Sequence, residues 1–436
     1  MTIEAKSASG AAEAGPFGPQ QYSRAEPGGT GVGPKLRAKS FAIVGAGIIG
    51  LAVARRLLEL YPGATVTVIE KEPRVGAHQT GHNSGVVHAG VYYPSGSLKA
   101  QLCTRGRELL KIACEEWGVP YVECGKLIVA RDGSELPALR RLEQRARANG
   151  VPGLKWLDGS ATTAVEPYVS GVAALHSPHT AIVDFGRVAQ RLVDDVQARG
   201  GTIILNTEVT GFSRLGSAVD VLTARGSVRA ERVVLCAGLQ SDRVARSAGD
   251  GADPAIVPFR GEYYRLVPGR EYLVRGLVYP VPDPRYPFLG VHFTRRVGGG
   301  VDIGPNAILA LAREGYSWRK LKFADLRETI AWPGFRRMAR RHWRAGGREL
   351  ATSLSKYFFV KAARGYIPSL RTEDVVPGPA GVRAQAVAGD GTLVDDFAVH
   401  FLGPVVAVRN APSPAATSSL AIAEHLVDRL AEQVTT

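Results

Sequence analysis

At 436 residues with 45% hydrophobic side chains, the chain is long enough to build two lobes around separate cores. It has no uninterrupted apolar run of about 18 residues and no basic-then-apolar leader, which argues against a transmembrane helix and a secretory signal. The formal net charge of +14 favours anionic partners: an acidic substrate, a phosphate-bearing cofactor, a membrane surface or nucleic acid. Cys103, Cys114, Cys124 and Cys236 lack C-x-x-C spacing, which speaks against a zinc site or disulfide framework and suits a reducing, cytoplasmic setting.

Residues 1–39, rich in Gly, Ala, Ser and Pro, read as a disordered tail with a basic end, Lys35-Leu36-Arg37-Ala38-Lys39. Phe41-Ala42-Ile43-Val44 is short and apolar enough for a buried parallel strand. Gly45-Ala46-Gly47-Ile48-Ile49-Gly50 then matches G-x-G-x-x-G and opens an amphipathic helix toward Leu60. A second strand, Ala64 to Ile69, ends in Glu70, 20 residues after Gly50. Strand, glycine turn, helix, strand and acid in this order form the dinucleotide fingerprint. Gly45 permits the tight turn, Gly47 lets the backbone approach a pyrophosphate, and Gly50 lets helix and strand pack closely. The helix N-terminus offers N–H groups to the anion, and Glu70 can accept hydrogen bonds from ribose hydroxyls. NAD and FAD both satisfy this pattern.

The segment from Gly76 to Pro94 combines small residues, three histidines and paired tyrosines without helical or strand period. Because it follows the ribose-binding strand, it is expected to touch cofactor or substrate. A helix is predicted from Ser97 to Trp117, a pair of strands from Tyr121 to Ala130, and a charged solvated helix from Ser134 to Asn149. Helix and strand alternation resumes at Phe185, and Arg232–Leu235 followed by Cys236-Ala237-Gly238 repeats the strand-to-small-residue turn. Such a late return to the nucleotide lobe argues for FAD over NAD. Val257–Leu266, Val278–Pro280, Leu289–Thr294 and Gly300–Ala307 predict an antiparallel sheet whose Arg, Tyr and His side chains would roof an anionic substrate. Between Lys320 and Arg348 a basic helical region carries Arg336, Arg337, Arg340, Arg341 and Arg344 around Phe335, Met338 and Trp343. It suits an anionic membrane surface. A nucleic-acid patch and a plain exposed helix are the competing readings, and no recognition fold accompanies the former. From residue 365 the chain is expected to return to the nucleotide lobe, where Asn410 to Ser419 open a helix from Ala416 to Glu432.

GAGIIGLAVA (45–54), HNSGVVHAGVYYPSGSLKA (82–100), FRGEYYRL (259–266), FLGVHFTR (288–295), GPNA (304–307) and NAPSPAATSSLAIAEH (410–425) together resemble the FAD-dependent L-2-hydroxyglutarate oxidase/dehydrogenase family, within the D-amino acid oxidase-like superfamily. The resemblance runs from about Phe41 to Val434 and leaves only the N-terminal tail outside. It implies α/β plus α+β architecture, with a Rossmann-like FAD-binding domain over 40–117, 176–250 and 365–436. A discontinuous substrate domain on a mostly antiparallel sheet would then occupy 118–175 and 251–364. Candidate cofactor contacts are Gly45, Ala46, Gly47, Ile48, Ile49, Gly50, Glu70, Lys71, Asn83, Ser84, Gly85, Val86, Val209, Ala237, Gly238, Asn410, Pro412, Ser413, Pro414, Ala415, Ala416 and Thr417.

The resemblance further implies oxidation of L-2-hydroxyglutarate to 2-oxoglutarate, with electrons passed to oxygen or a quinone and no nucleic-acid partner. A base must take the hydroxyl proton, and His88 and His292 are the candidates, His88 preferred for its place after the nucleotide strand. Two substrate carboxylates call for a bidentate arginine, from Arg260, Arg364 or Arg383, with Tyr93, Tyr263 and Tyr264 as hydroxyl donors. The competing readings are an FAD oxidase of another 2-hydroxy or amino acid, and a passive nucleotide-binding or membrane-attached module. The implied location is cytoplasmic, with a peripheral site on the inner face of the cell membrane.

Overall fold

The computed structural model describes residues 38–216, 218–283, 290–304 and 306–432. Most of the expected tail, together with Phe288, Leu289 and Pro305 of the quoted motifs, lies outside the described residues.

The fingerprint strand Ser40–Val44 sits inside a six-stranded sheet, between Arg232–Leu235 and Thr65–Ile69. Val405–Asn410 and Thr202–Ile204 extend it in parallel, and Ala398–Leu402 pairs antiparallel at one edge. Both strand faces are covered, so the strand reads as an unbroken apolar run. Phe41 and Ile43 pack with the helices Ile48–Leu60, Phe185–Ala198 and Ser419–Glu432. Ala42 and Val44 face the antiparallel meander 209–230 and the helix Ser241–Ser247.

A nine-stranded sheet forms the second layer. One of its faces buries Leu127, Val278, Phe293 and Ile303 against the helix Lys356–Ala363. Its other face packs Ile128, Leu277 and Tyr279 toward the helix Leu136–Ala148 at one end, and walls a cleft at the other.

Three features depart from the sequence reading. Tyr121–Glu123 and Lys126–Ala130 do not pair with each other: the chain turns at Gly125 (φ +74°), and the two strands enter different sheets. Val375–Val387, expected with the nucleotide lobe, instead pairs along the whole of Ala255–Leu266 in the nine-stranded sheet, because both strands supply long extended runs with matching register. The last helix begins at Ser419, after a run of turns over 413–418. The basic region forms two helices, Phe323–Ala331 and Pro333–Leu354, separated at Trp332-Pro333 and broken again at His342. Among the described residues, no helix is long and apolar enough to cross a membrane.

Candidate active site

A cleft of about 1270 Å³ opens at the carboxyl ends of the parallel strands, beyond Val44, Ile69, Cys236 and Val408, and continues beneath the antiparallel sheet to Tyr263, His292 and Arg383. This position is where open α/β sheets receive ligands. The volume exceeds that of a typical single-ligand pocket and leaves room for a dinucleotide with substrate beside it.

The residues at its nucleotide end fit such a group. Gly45 adopts φ +105°, and a Cβ there would lie 2.5 Å from the Cys236 carbonyl oxygen. A Cβ on Gly50 would lie 2.0 Å from the Gly45 carbonyl oxygen, so strand and helix touch without side chains between them. At Gly47, by contrast, a Cβ would meet only Thr80 Oγ1 at 3.5 Å, which leaves the backbone open to the cleft. The helix it caps has no acidic residue of its own in its first turn. Glu70 is held in place where its carboxylate accepts the Ala46 N–H (2.8 Å) and the Glu72 N–H (2.9 Å). Asn410 donates through Nδ2 to the Val394 and Asp396 carbonyls at 2.9 Å. Its buried Oδ1 has no partner among the described residues and is available to a bound donor.

Glu72, His78 and Glu314 lie close enough together to hold a cation. The Lys71 ammonium already fills that role: it bonds Glu72 and lies 2.8 Å from Glu314. Hydrogen bonding from Lys71 draws the Glu72 carboxyl down to about 2.

At the far end of the cleft, the two histidines differ in what surrounds them. His292 Nδ1 lies 2.9 Å from the Gly290 carbonyl, an acceptor only, so Nδ1 carries the proton and Nε2 is left as an acceptor. Burial pushes the imidazole down to about 3. His88 is also pushed well down, by burial and by the charges of Lys126, His292, Lys99 and Arg383. Its Nε2 stands 3.4 Å from Ser413 Oγ, and its backbone N–H donates to Thr417 Oγ1. Burial raises the Tyr263 phenol to about 12, which keeps it protonated as a donor.

Of the substrate-binding and catalytic candidates, His88, His292, Tyr263 and Arg383 line the cleft. Strand alternation removes Arg260 and Tyr264 from it. Arg260 instead stacks 4.2 Å from the Trp318 ring centroid and lies 3.2 Å from Glu262. Tyr264 packs on Phe359 across the opposite face. Arg364 is exposed at the end of the helix Lys356–Ala363, away from the cleft. Tyr93 sits behind the wall with Ala100 and Cys103. Gly45, Gly47, Ile48, Ile49, Glu70, Lys71, Asn83, Ser84, Val86, Val209, Ala237, Gly238, Asn410 and 413–417 line the cleft. Ala46, Gly50, Gly85 and Pro412 lie just behind this lining: Ala46 anchors Glu70, Gly50 packs on Gly45, and Gly85 and Pro412 accept backbone N–H groups from Val183 and Ala415. Sequence reasoning missed Lys126 and Tyr279, which only long-range strand pairing brings behind His292. An isolated lysine beginning an otherwise apolar strand was the one signal available.

Dinucleotide fingerprint, cleft and two-layer architecture define a dinucleotide-binding protein with room for a second ligand. Residues 40–429 match the family described as DAO, FAD dependent oxidoreductase, and the chain belongs to it; its cofactor is FAD. The chain is 46% identical over 413 residues to the mitochondrial L-2-hydroxyglutarate dehydrogenase of Nematostella vectensis, covering 90% of this chain and 91% of that one. It is 45% identical to the L-2-hydroxyglutarate dehydrogenase of Indibacter alkaliphilus, over 87% of this chain and 96% of that one. The dithionite-reduced, FAD-bound L-alpha-glycerophosphate oxidase of Mycoplasma pneumoniae shares the fold, with TM-score 0.74 and 23% identity over 90% of this chain and 94% of that one.

Proposed function

We propose that this protein oxidises L-2-hydroxyglutarate to 2-oxoglutarate. The observation that carries the substrate is the 46% identity, over about nine-tenths of both chains, to a dehydrogenase named for that acid. Bound FAD would supply the two-electron acceptor for the hydride leaving C2. The remaining work falls to the chain. Arg383, reachable through the cleft, would grip a substrate carboxylate as a fork, and the protonated Tyr263 would donate beside it. His292 Nε2 would accept the hydroxyl proton as C2 becomes a carbonyl carbon. Its Nδ1–H bond to Gly290 supports His292 over His88 for this role, because the tautomer is already the accepting one.

The electrons leave to oxygen or to a quinone. A quinone route suits the exposed face of 323–358, where Phe323, Trp343, Tyr357 and Phe358 are 77%, 67%, 61% and 51% exposed. Arg336, Arg337, Arg340, Arg341 and Arg344 are exposed on the same stretch of chain. Apolar rings among arginines suit an anionic bilayer surface.

Anaerobic mixing of holoenzyme with L-2-hydroxyglutarate should bleach the flavin absorbance, and the D-enantiomer should not. Bleaching by another chiral 2-hydroxy or amino acid in the same panel, with none by L-2-hydroxyglutarate, would overturn the substrate. Reoxidation by oxygen or by a quinone identifies the acceptor.

A further inference from the structure

Three strands distant in sequence stack an imidazole, a phenol and an ammonium behind the cleft. Leu277 pairs with Lys126 on one side and with Thr294 on the other. Two-residue periodicity then puts Lys126, Tyr279 and His292 on one face of the sheet. The His292 and Tyr279 rings stack with centroids 4.1 Å apart, and Lys126 Nζ lies 4.2 Å from the Tyr279 centroid and 5.3 Å from that of Tyr92. Lys126 is 2% exposed, and no carboxylate among the described residues pairs with it. A buried ammonium without a counter-ion is costly, and two aromatic faces offset that only in part.

We propose that Lys126 is a positioning residue for the base: held against Tyr279, its ammonium fixes the ring on which His292 stacks and sets a positive field behind the imidazole that favours its neutral, proton-accepting form. The inference rests on the proposed role of His292. The charged and titratable groups around His292 are Lys126, Arg383 and Tyr279, and those around His88 are Lys126, Lys99, Arg383 and His292. All are cations or neutral rings. Asp395, the nearby carboxylate, is paired with Lys99 at 3.0 Å. Burial pushes Lys126 itself down to about 8, so the ammonium persists at neutral pH. A dianionic substrate entering this field would offset it and strengthen the base at the moment it is needed.

The test follows the His292 imidazole by NMR in labelled, substrate-free holoenzyme, together with the acid limb of kcat/KM. With the Tyr279 ring between them, charge and imidazole are on the order of 8 Å apart, and a unit charge at that range moves a titration by about one pH unit. Lys126→Met should therefore raise the His292 midpoint by about one pH unit, and Lys126→Arg should restore the wild-type value. If Lys126→Met does not fold, Lys126→Gln carries the same expectation. An unmoved midpoint in the uncharged variant, or an equal rise in Lys126→Arg, overturns the inference. A midpoint that rises while the acid limb stays put supports the field of Lys126 and overturns His292 as the base.

Discussion

Alanine at Gly50 and at Gly47 should fail in different ways, because one glycine makes room for protein and the other for cofactor. At Gly50 the added methyl would stand 2.0 Å from the Gly45 carbonyl oxygen and 3.2 Å from Ile43 Cγ2, where ordinary contact begins at 3.4 Å. Relief requires the Gly45 turn to retreat by more than about 1 Å. That turn is anchored by the Gly45 N–H to Ile69 O hydrogen bond at 2.8 Å. Overpacking costs about 1–3 kcal/mol and a lost hydrogen bond about 1 kcal/mol, against roughly 1 kcal/mol gained from alanine's helix propensity. The balance is a destabilisation of about 2 kcal/mol, present with or without FAD. At Gly47 the methyl meets nothing closer than Thr80 Oγ1 at 3.5 Å, so the FAD-stripped protein should lose less than about 1 kcal/mol, the cost of alanine at an N-cap. Its FAD affinity should fall at least about tenfold, because the methyl occupies the surface a pyrophosphate must approach. Denaturant unfolding of stripped and loaded protein, with FAD titration by fluorescence quenching, separates the two. A Gly47→Ala variant that binds FAD like wild type would refute the close-approach argument. A Gly50→Ala variant of wild-type stability would refute the packing argument.

Further outcomes are expected. Arg383→Lys keeps charge but not the fork, and should raise KM for L-2-hydroxyglutarate by about tenfold to a hundredfold; steady-state kinetics showing an unchanged KM would remove Arg383 from the substrate site. His292→Asn should lower kcat by about 100-fold to 10,000-fold with FAD still bound, whereas His88→Asn should cost less; the reverse order in stopped-flow flavin reduction would make His88 the base. Glu328 feels burial, which alone would raise its carboxyl, but hydrogen bonds from Arg243 and Arg246 outweigh it and draw the group down to about 2 from 4.5. Its contribution is therefore full above about pH 4.5 and lost as the pH falls toward 2. Glu328→Gln should be less stable than wild type at pH 7, and the gap should shrink below about pH 4.5 and close as the pH falls to 2; a gap undiminished at pH 2 would contradict the ion-pair account. Charge reversal at Arg336, Arg340 and Arg344 should abolish sedimentation with anionic liposomes, and undiminished binding would count against the membrane face.

Local spacing carries most of the nucleotide end of this protein. Glycines at 45, 47 and 50 followed by an acid at 70 state a tight turn, an open backbone and a close strand–helix packing, because each depends on residues a few positions apart along one strand–helix–strand unit. The turn after Leu235 and the approach to the last helix were legible for the same reason: small residues at the ends of apolar strands.

The chemical end depends on pairing between distant strands, and residue type alone could not sort it. FRGEYYRL offers two arginines and two tyrosines, yet alternation along Ala255–Leu266 sends Tyr263 to the cleft and Arg260 and Tyr264 away from it. Arg364 and Arg383 look equivalent as sequence; one caps a surface helix and the other crosses the cleft because Val375–Val387 pairs with Ala255–Leu266. Lys126 acquires a role only when the strands carrying Tyr279 and His292 align beside it, more than a hundred residues on. Which side chains share a face is a property of sheet register, and register between remote strands is settled by the packed core rather than by any stretch of sequence read alone.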